Sequence, residues 1–275
     1  MIRLLTSGDI PEVTSYVERN YMETTVLSGN LARCGIENDW LSRRSGDYYG
    51  YFSAGRLAGI VAFFNLGSVV PHFEIAAAIG SFVEIMRQRR FEVVVGMKRI
   101  IKPLCLALEP YKKVLACEDS YYLVNHNIKH YSLAGGYQIA AVEAVDRERV
   151  LTFIVEAYRQ GFKRRFNREL ATKLIEDRGA EEALIFLLVN QAPVAQATIQ
   201  VVTGRINQIG GVYTSEHSRG KGYCKALVAE LCQQIYAAGK LPTLMVRKDN
   251  SPAVRAYQAV GFSYYDEYVI VKFAM

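Results

Sequence analysis

The sequence predicts an α/β protein made of two domains with one architecture, each a mixed central sheet flanked by helices. The length of 275 residues suits two domains of ordinary size. Segments whose apolar residues recur at every second position, as in strands, alternate with segments in which they recur about every 3.6 positions, as in helices. This alternation is typical of α/β proteins. The order of elements in the first half returns in the second, as in a tandem duplication. The predicted domains are residues 1–131 and 136–275.

The first half carries a helix, a hairpin and then alternating helices and strands. Its hairpin is indicated by two apolar runs around Ser53-Ala54-Gly55-Arg56. The predicted elements are a helix from Asp9 to about Asn20, strands over 48–52 and 57–64, a helix around 75–86, a strand over 91–95, a helix around 101–108 and a strand around 114–123.

The second half repeats this order with clearer signals. Its long helix is apolar at positions three and four apart, which indicates one buried face. The predicted elements are a strand over 137–145, helices over 150–159 and 168–177, a hairpin of 184–189 and 194–202, a strand over 206–214, a helix over 222–238, a strand over 241–246, a helix over 251–260 and a strand over 262–273.

Composition excludes several classes of protein. An apolar fraction of 51% and a charged fraction of 22% exclude disorder and coiled coils. The net charge of +6 is spread over both halves, so we expect no nucleic-acid partner and a mild preference for anionic ligands. The uncharged run 183–204 is interrupted by polar residues and alternates like a strand, so no membrane association is expected. The N-terminus lacks a long apolar core, so a cytoplasmic protein is predicted.

The five cysteines favour neither disulfides nor a metal. Their number is odd and they form no CxxC pair, which is typical of reduced thiols. His126 and His130 follow Cys105 and Cys117, but a zinc finger needs cysteines two to four residues apart and these are twelve apart. No metal site is predicted.

The segment 210–224 predicts an anion site, because a strand there leads through a turn into the long helix. Gly220 and Gly222 are expected in the first helical turn, where they cost about 1 kcal/mol each relative to alanine. Arg219 and Lys221 place cations at the positive end of the helix dipole. A bound anion explains both costs, whereas an ordinary solvated turn explains neither. A nucleotide triphosphatase is disfavoured because Gly222, not Ser or Thr, follows Lys221.

Two motifs resemble those of the GNAT superfamily of N-acetyltransferases. Arg219-Gly220-Lys221-Gly222-Tyr223-Cys224 is similar to its pyrophosphate-binding motif R/Q-x-x-G-x-G/A, with the small Cys224 as the one departure. The segment 250–262 resembles the second signature, N-x-x-A-x-x-x-Y-x-x-x-G-F. The resemblance spans about residues 140–273. The first half shares only the order of elements and lacks the glycine-rich turn, which implies a degenerate GNAT-like domain.

The resemblance implies transfer of an acetyl group from acetyl-CoA, as co-substrate, to a primary amine of a small molecule or peptide. Val212, Tyr213 and Thr214 would diverge from the neighbouring strand and bind the pantetheine arm and thioester through their backbone. The turn from Arg219 through Gly220, Lys221, Gly222 and Tyr223 to Cys224 would hold the CoA phosphates. Asn250 would contact CoA or simply cap the next helix, and both alternatives remain open.

Tyr257 is the predicted catalytic residue. An aromatic residue on a helical stripe usually belongs to the core, but the resemblance implies that Tyr257 is the general acid for the CoA thiolate. With ordinary pKa values near 10 and 8.5, this proton donation costs roughly 2 kcal/mol. The general base is open among Glu216, Tyr213 and Glu267.

The remaining polar features have simpler interpretations. Cys224 and Cys232 share one helix face and are expected to pack in the core, and His217 is expected to be solvated. The basic segment 162–166 lies between the first two helices of the second half, where the family forms its acceptor cleft. It would suit an acidic acceptor, but a solvated face is the simpler explanation. A monomer or a homodimer is expected. The alternative function is a non-enzymatic acyl-CoA-binding sensor.

Overall fold

The computed structural model describes residues 1–127, 129, 131, 133 and 135–274. Its contacts separate two compact units: unit 1 contains Met1–Tyr122 and Tyr265–Met275, and unit 2 contains Leu123–Tyr264. These bounds differ from those of the predicted domains, because residues 265–273 of the last strand belong to unit 1, where Tyr268–Lys272 pair with Val93–Met97.

The first half of the chain forms six strands and four α-helices in the described residues. In chain order they are β1 (Ile2–Leu4), α1 (Ile10–Arg19), α2 (Thr25–Cys34), β2 (Gly46–Ser53), β3 (Arg56–Phe64), β4 (Ser68–Phe73), α3 (Ala78–Gln88), β5 (Val93–Met97), α4 (Lys98–Leu108) and β6 (Val114–Asn125).

The second half repeats the same order of ten elements. They are β7 (Gln138–Ala141), α5 (Arg147–Glu156), α6 (Arg168–Glu176), β8 (Leu184–Val189), β9 (Ala192–Val202), β10 (Ile206–Thr214), α7 (Tyr223–Ala237), β11 (Leu241–Arg247), α8 (Ser251–Ala259) and β12 (Phe262–Phe273). The predicted α/β class and the repeated element order are therefore confirmed.

The sheet of unit 1 is mixed. Strands β1 to β4 pair antiparallel in sequence order, and β4 pairs in parallel with β5 through Ser68 and Val69 only. Residues Tyr268–Lys272 of β12 then pair antiparallel with β5. Helix α1 packs on this sheet because its apolar positions Val13, Tyr16 and Val17 recur at helical spacing and are buried.

The sheet of unit 2 is also mixed, with β7, β8, β9 and β10 antiparallel and β10 parallel to β11. Asn190 and Gln191 both have positive φ, 50° and 64°, as a tight two-residue hairpin between β8 and β9 requires. Helix α5 packs on the face that carries Leu184, Phe186 and Leu188, and α7 packs against β8, β9 and β10.

Three elements of the first half differ from the predictions, because β1, α2 and β4 carried no clear signal. Strand β1 has only three residues, and α2 includes Gly29, which weakens a helical pattern. Pro71 lies within β4 and argues against a strand there. It is tolerated because the pairing of β4 with β5 ends at Val69, before the residue that lacks an N–H.

None of the helices in the described parts of the chain is both long enough and apolar enough to cross a bilayer.

We expect the fold to lose stability in alkali, because burial raises the pKa of seven of the described tyrosines above the ordinary value. They are Tyr16, Tyr48, Tyr213, Tyr236, Tyr257, Tyr265 and Tyr268. A group whose pKa is higher in the folded than in the unfolded chain stabilises fully below the unfolded value, about 10 for tyrosine, and loses that contribution above it. Urea titrations should show the free energy of unfolding falling from about pH 10 upward. A free energy that stays constant through phenol ionisation would contradict this expectation.

Candidate active site

Strand β10 contains a bulge just before the predicted anion site. Gly210 is opposite Thr198 and Tyr213 is opposite Gln196, so β10 has one residue more than β9 across this interval. Gly211 lies in the bulge with φ of 58°, a conformation that favours glycine. The Gln196 side-chain amide donates a hydrogen bond of 3.2 Å to the Gly211 carbonyl and holds the bulge in place.

Strands β10 and β11 diverge beyond the bulge. Their parallel pairing covers only Ile206–Ile209 and Leu241–Leu244, although β10 continues to Thr214 and β11 to Arg247. The predicted divergence at Val212, Tyr213 and Thr214 is therefore present. It leaves room between two strand edges for an extended ligand that bonds to backbone groups. The Thr214 hydroxyl is buried there without a hydrogen-bond partner among the described residues.

We expect Gly211→Ala to disturb both the bulge and the stability of the protein. A left-handed backbone costs a residue with a Cβ roughly 1–2 kcal/mol, and the new Cβ would lie 2.8 Å from Thr198 Cγ2. Thermal unfolding should show the loss. Gly80→Ala is the matched control, because Gly80 lies in α3 with no atom within 4 Å of an added Cβ, and alanine there should stabilise by about 0.5–1 kcal/mol. A stability for Gly211→Ala equal to that of the wild type would contradict the strained bulge.

The turn after β10 corrects one argument drawn from the sequence. Helix α7 begins at Tyr223, so Gly220 and Gly222 precede its first turn, and they cost no helix propensity. Instead they have φ of 79° and 84°, which explains glycine at both positions. Arg219 is extended, and its Nε donates a hydrogen bond of 3.3 Å to the Thr214 carbonyl.

The start of α7 retains the properties of an anion site. Its N-cap is Gly222, which offers no side-chain acceptor to the N–H groups of Tyr223, Cys224 and Lys225. Arg219 and Lys221 are exposed, and neither is paired with a carboxylate among the described residues.

Tyr131 approaches the same turn. Its hydroxyl lies 2.2 Å from where a Gly222 Cβ would be, and its ring is 4.5 Å from Lys225 Nζ. A phosphate bound at Gly222 would therefore lie next to this ring. The N–H groups at the start of α7, Arg219, Lys221 and the glycine turn together fit a diphosphate.

Helix α8 positions Asn250 and Tyr257. The Asn250 side chain caps the helix by accepting a bond of 3.3 Å from the Ala253 N–H, so the capping alternative is confirmed, and its contact with CoA stays a prediction. Tyr257 is 7% exposed, with its ring 6.1 Å from that of Phe262. No group in the described part of the chain forms a hydrogen bond with its hydroxyl.

Tyr257 and Cys224 share one environment. Burial raises the pKa of Tyr257 well above its ordinary value, and the neighbouring Cys224 raises it further. Burial also raises the pKa of the Cys224 thiol to about 12. The residue at the helix start and the residue on α8 therefore lie close enough to interact electrostatically.

The three candidate bases differ in their surroundings. Glu216 is exposed in the turn after β10. Glu267 belongs to unit 1, where its carboxylate lies 2.9 Å from Lys98 Nζ. The Tyr213 hydroxyl donates a hydrogen bond of 3.0 Å to Glu156 Oε1. Burial first, and this carboxylate second, raise the pKa of Tyr213 to about 12, so Tyr213 is protonated at neutral pH, which disfavours it among the three open candidates for the base.

Glu156 and the residues after it gave no signal in the sequence. Glu156 ends α5 and is followed by a π-helical turn, Ala157–Gly161, a rare feature that is frequent at functional sites. Gly161 allows the Tyr213 ring to approach, because a Cβ there would lie 2.5 Å from Tyr213 Cδ2. Gln160 is exposed, and its Oε1 lies 3.4 Å from the Tyr213 hydroxyl. Periodicity cannot reveal a pair that forms only when α5 packs against β10.

The other polar residues singled out in the sequence are the cysteines, the histidines and the basic segment 162–166. Cys232 is buried in α7 and His217 is exposed, as expected. The basic segment 162–166 follows the π turn, and its residues 163–166 line an open groove together with Arg159. Among the described residues, no group of three or more His, Cys, Asp or Glu side chains could hold a metal ion. His130 lies outside the described residues.

Comparisons place these features in a known fold. Residues 188–271 match the family model described as FR47-like protein. A search of curated protein sequences found no match.

Solved structures resemble the whole chain. A Drosophila protein is 12% identical, with 99% of this chain and 98% of that chain covered and a TM-score of 0.73. A GCN5-related N-acetyltransferase from Sphaerobacter thermophilus is 17% identical, with 99% and 94% covered and a TM-score of 0.62. A tandem GNAT protein from the clavulanic acid biosynthesis pathway is 13% identical, with 99% and 97% covered and a TM-score of 0.60. The resemblance to the GNAT superfamily is therefore confirmed at the level of the fold.

Proposed function

We propose that this chain is an N-acetyltransferase that transfers the acetyl group of acetyl-CoA to a primary amine, with one CoA site, in unit 2. One observation carries the proposal: β10 and β11 diverge immediately before a glycine turn and an uncapped helix start. Together these supply a slot for an extended arm and, at its end, N–H donors for phosphate. In unit 1 the strands β4 and β5 also diverge and α3 is also uncapped, but no Arg-Gly turn precedes α3.

The binding roles follow from position. The backbone of Val212, Tyr213 and Thr214 borders the slot and would bond to the pantetheine amides, with one N–H directed at the thioester carbonyl to stabilise the developing oxyanion. Arg219 and Lys221 would neutralise the phosphates that the N–H groups of α7 hold.

Tyr257 would protonate the departing thiolate, and its burial does not prevent this. The ordinary pKa values of a phenol and a thiol differ by about 1.5 units. Burial raises the pKa of Tyr257, but it raises that of the adjacent Cys224 thiol too. A CoA thiolate in the same surroundings would be desolvated likewise. Burial therefore shifts the pKa of the proton donor and of the thiolate in the same direction.

Release of the CoA thiol from acetyl-CoA tests the proposal, measured across a panel of simple amines, amino acids and short peptides. We expect release that depends on the presence of one class of amine. Binding of acetyl-CoA without release for any member of the panel would instead favour an acyl-CoA sensor. Absence of binding would contradict both functions.

A further inference from the structure

The contact between Glu156 and Tyr213 singles out one carboxylate of unit 2. Glu156 is half-buried, and its Oε1 accepts the Tyr213 hydroxyl at 3.0 Å. In the described part of the chain no lysine or arginine is paired with it, whereas Glu143, Glu148 and Glu176 of the same unit each form an ion pair with an arginine. One oxygen of Glu156 therefore accepts a hydrogen bond from a neutral hydroxyl, and the other oxygen can bind a cation.

The position of this carboxylate relates it to the slot. Tyr213 directly follows the bulge, and its backbone borders the divergence of β10 and β11. The π turn after Glu156 brings Gly161 against the Tyr213 ring and leaves Gln160 exposed beside the hydroxyl. The half-buried carboxylate at the end of α5 is thus in contact with β10, the strand that would hold the thioester.

Other charges near Tyr213 do not neutralise Glu156. Glu216 and Arg219 are both exposed in the turn after β10. Arg219 lowers the pKa of Tyr213 and Glu216 raises it, and neither side chain forms a hydrogen bond with Tyr213. Arg159, on the π turn, donates its Nε to the Phe166 carbonyl. The Tyr213 hydroxyl donates to Glu156 Oε1, so it fixes one carboxylate oxygen without neutralising the carboxylate.

We propose that Glu156 binds the ammonium group of the acceptor and removes its proton, with Tyr213 as the positioning residue that orients the carboxylate. This inference rests on the proposed function and supplies the base that the sequence left open. It restricts the acceptor to amines that are protonated in solution.

The ammonium nitrogen would lose two of its three protons during the reaction. The ammonium gives one proton to Glu156, and the freed electron pair forms the new C–N bond at the thioester carbon. The C–S bond breaks with its electrons on sulfur, which takes a proton from Tyr257. The attacking nitrogen loses its second proton, which restores Tyr257 through solvent, and Glu156 releases its proton to water. The products are the amide, the CoA thiol and one proton.

Glu156→Gln tests the proposal, since the amide oxygen can still accept the Tyr213 hydroxyl while charge and basicity are lost. With the amine of the panel that wild type acetylates fastest, we expect kcat/KM to fall about 10²- to 10⁴-fold at neutral pH. The loss should shrink as the pH approaches the pKa of the amine, about 10 for an alkylamine, because solution then supplies free amine. The melting temperature and the calorimetric Kd for acetyl-CoA should not change.

Two further variants complete the test. Glu176→Gln, the matched control, removes an exposed carboxylate paired with Arg147 and should leave the rate unchanged. Tyr213→Phe keeps the base but not its orientation, and should lower kcat/KM less than Glu156→Gln does.

The outcomes separate this inference from the proposed function. A Glu156→Gln rate equal to that of the wild type, or a loss that is the same at every pH, would overturn the role of Glu156 while leaving acetyl transfer intact. A wild-type protein that binds no acetyl-CoA or acetylates no amine of the panel would overturn the function itself.

Discussion

Replacing Tyr257 with phenylalanine should lower kcat about 10²- to 10⁴-fold, the usual contribution of a general acid. Acetyl-CoA affinity should stay nearly constant, because the hydroxyl is needed only when the C–S bond breaks. The hydroxyl is not part of a hydrogen bond among the described residues, and its loss should change stability little. Steady-state kinetics and thermal melts on the same variant measure both effects.

Tyr236→Phe is the matched control. Tyr236 lies on α7, and its hydroxyl donates to the Asn125 carbonyl. Loss of that bond should lower stability by about 1 kcal/mol and leave turnover unchanged. If Tyr257→Phe behaved in this way, with a lowered melting point and wild-type kcat, Tyr257 would be a core residue and another group would protonate the thiolate.

Replacing Arg219 and Lys221 together with alanine should weaken acetyl-CoA binding by about 2–4 kcal/mol, or roughly 30- to 900-fold in Kd. Both side chains are exposed at the start of α7 and unpaired with carboxylates in the described chain, so their removal should not unfold the protein. The difference in Kd between the variant and the wild type should become smaller at high salt, because salt screens exposed charges.

A second double variant distinguishes local from overall charge. Arg147→Ala with Lys173→Ala removes the same two positive charges from α5 and α6, away from the turn. We expect its Kd to be close to that of wild type. Equal weakening by both double variants would mean that net charge, rather than the turn, attracts the ligand.

The sequence predicts those parts of the fold that local chemistry determines. The bounds of β10 and β12 agree with the structure to the residue, because glycines and turn residues flank clear apolar patterns. Strand β4 was missed because Pro71 is tolerated only where the pairing with β5 has already ended, and that divergence is a tertiary property.

The candidate site divides in the same way. The turn at Arg219–Cys224 is indicated by its glycines and cations, and Asn250 and Tyr257 by the resemblance of segment 250–262 to a family motif, since each segment is contiguous in the chain. The reason given for the glycines was wrong, because α7 begins one residue after Gly222 and the backbone conformation, not an anion, requires glycine there. Glu156 was missed because it meets Tyr213 across 57 positions of sequence.

Calorimetric titration of the whole chain with acetyl-CoA tests the central claim most directly. We expect one molecule bound per chain, because only unit 2 combines diverging strands with a glycine turn and an uncapped helix, and we expect the Arg219→Ala/Lys221→Ala variant to lose most of that affinity. Two molecules per chain, no binding, or unchanged affinity in the variant would contradict the assignment of the CoA site to this turn.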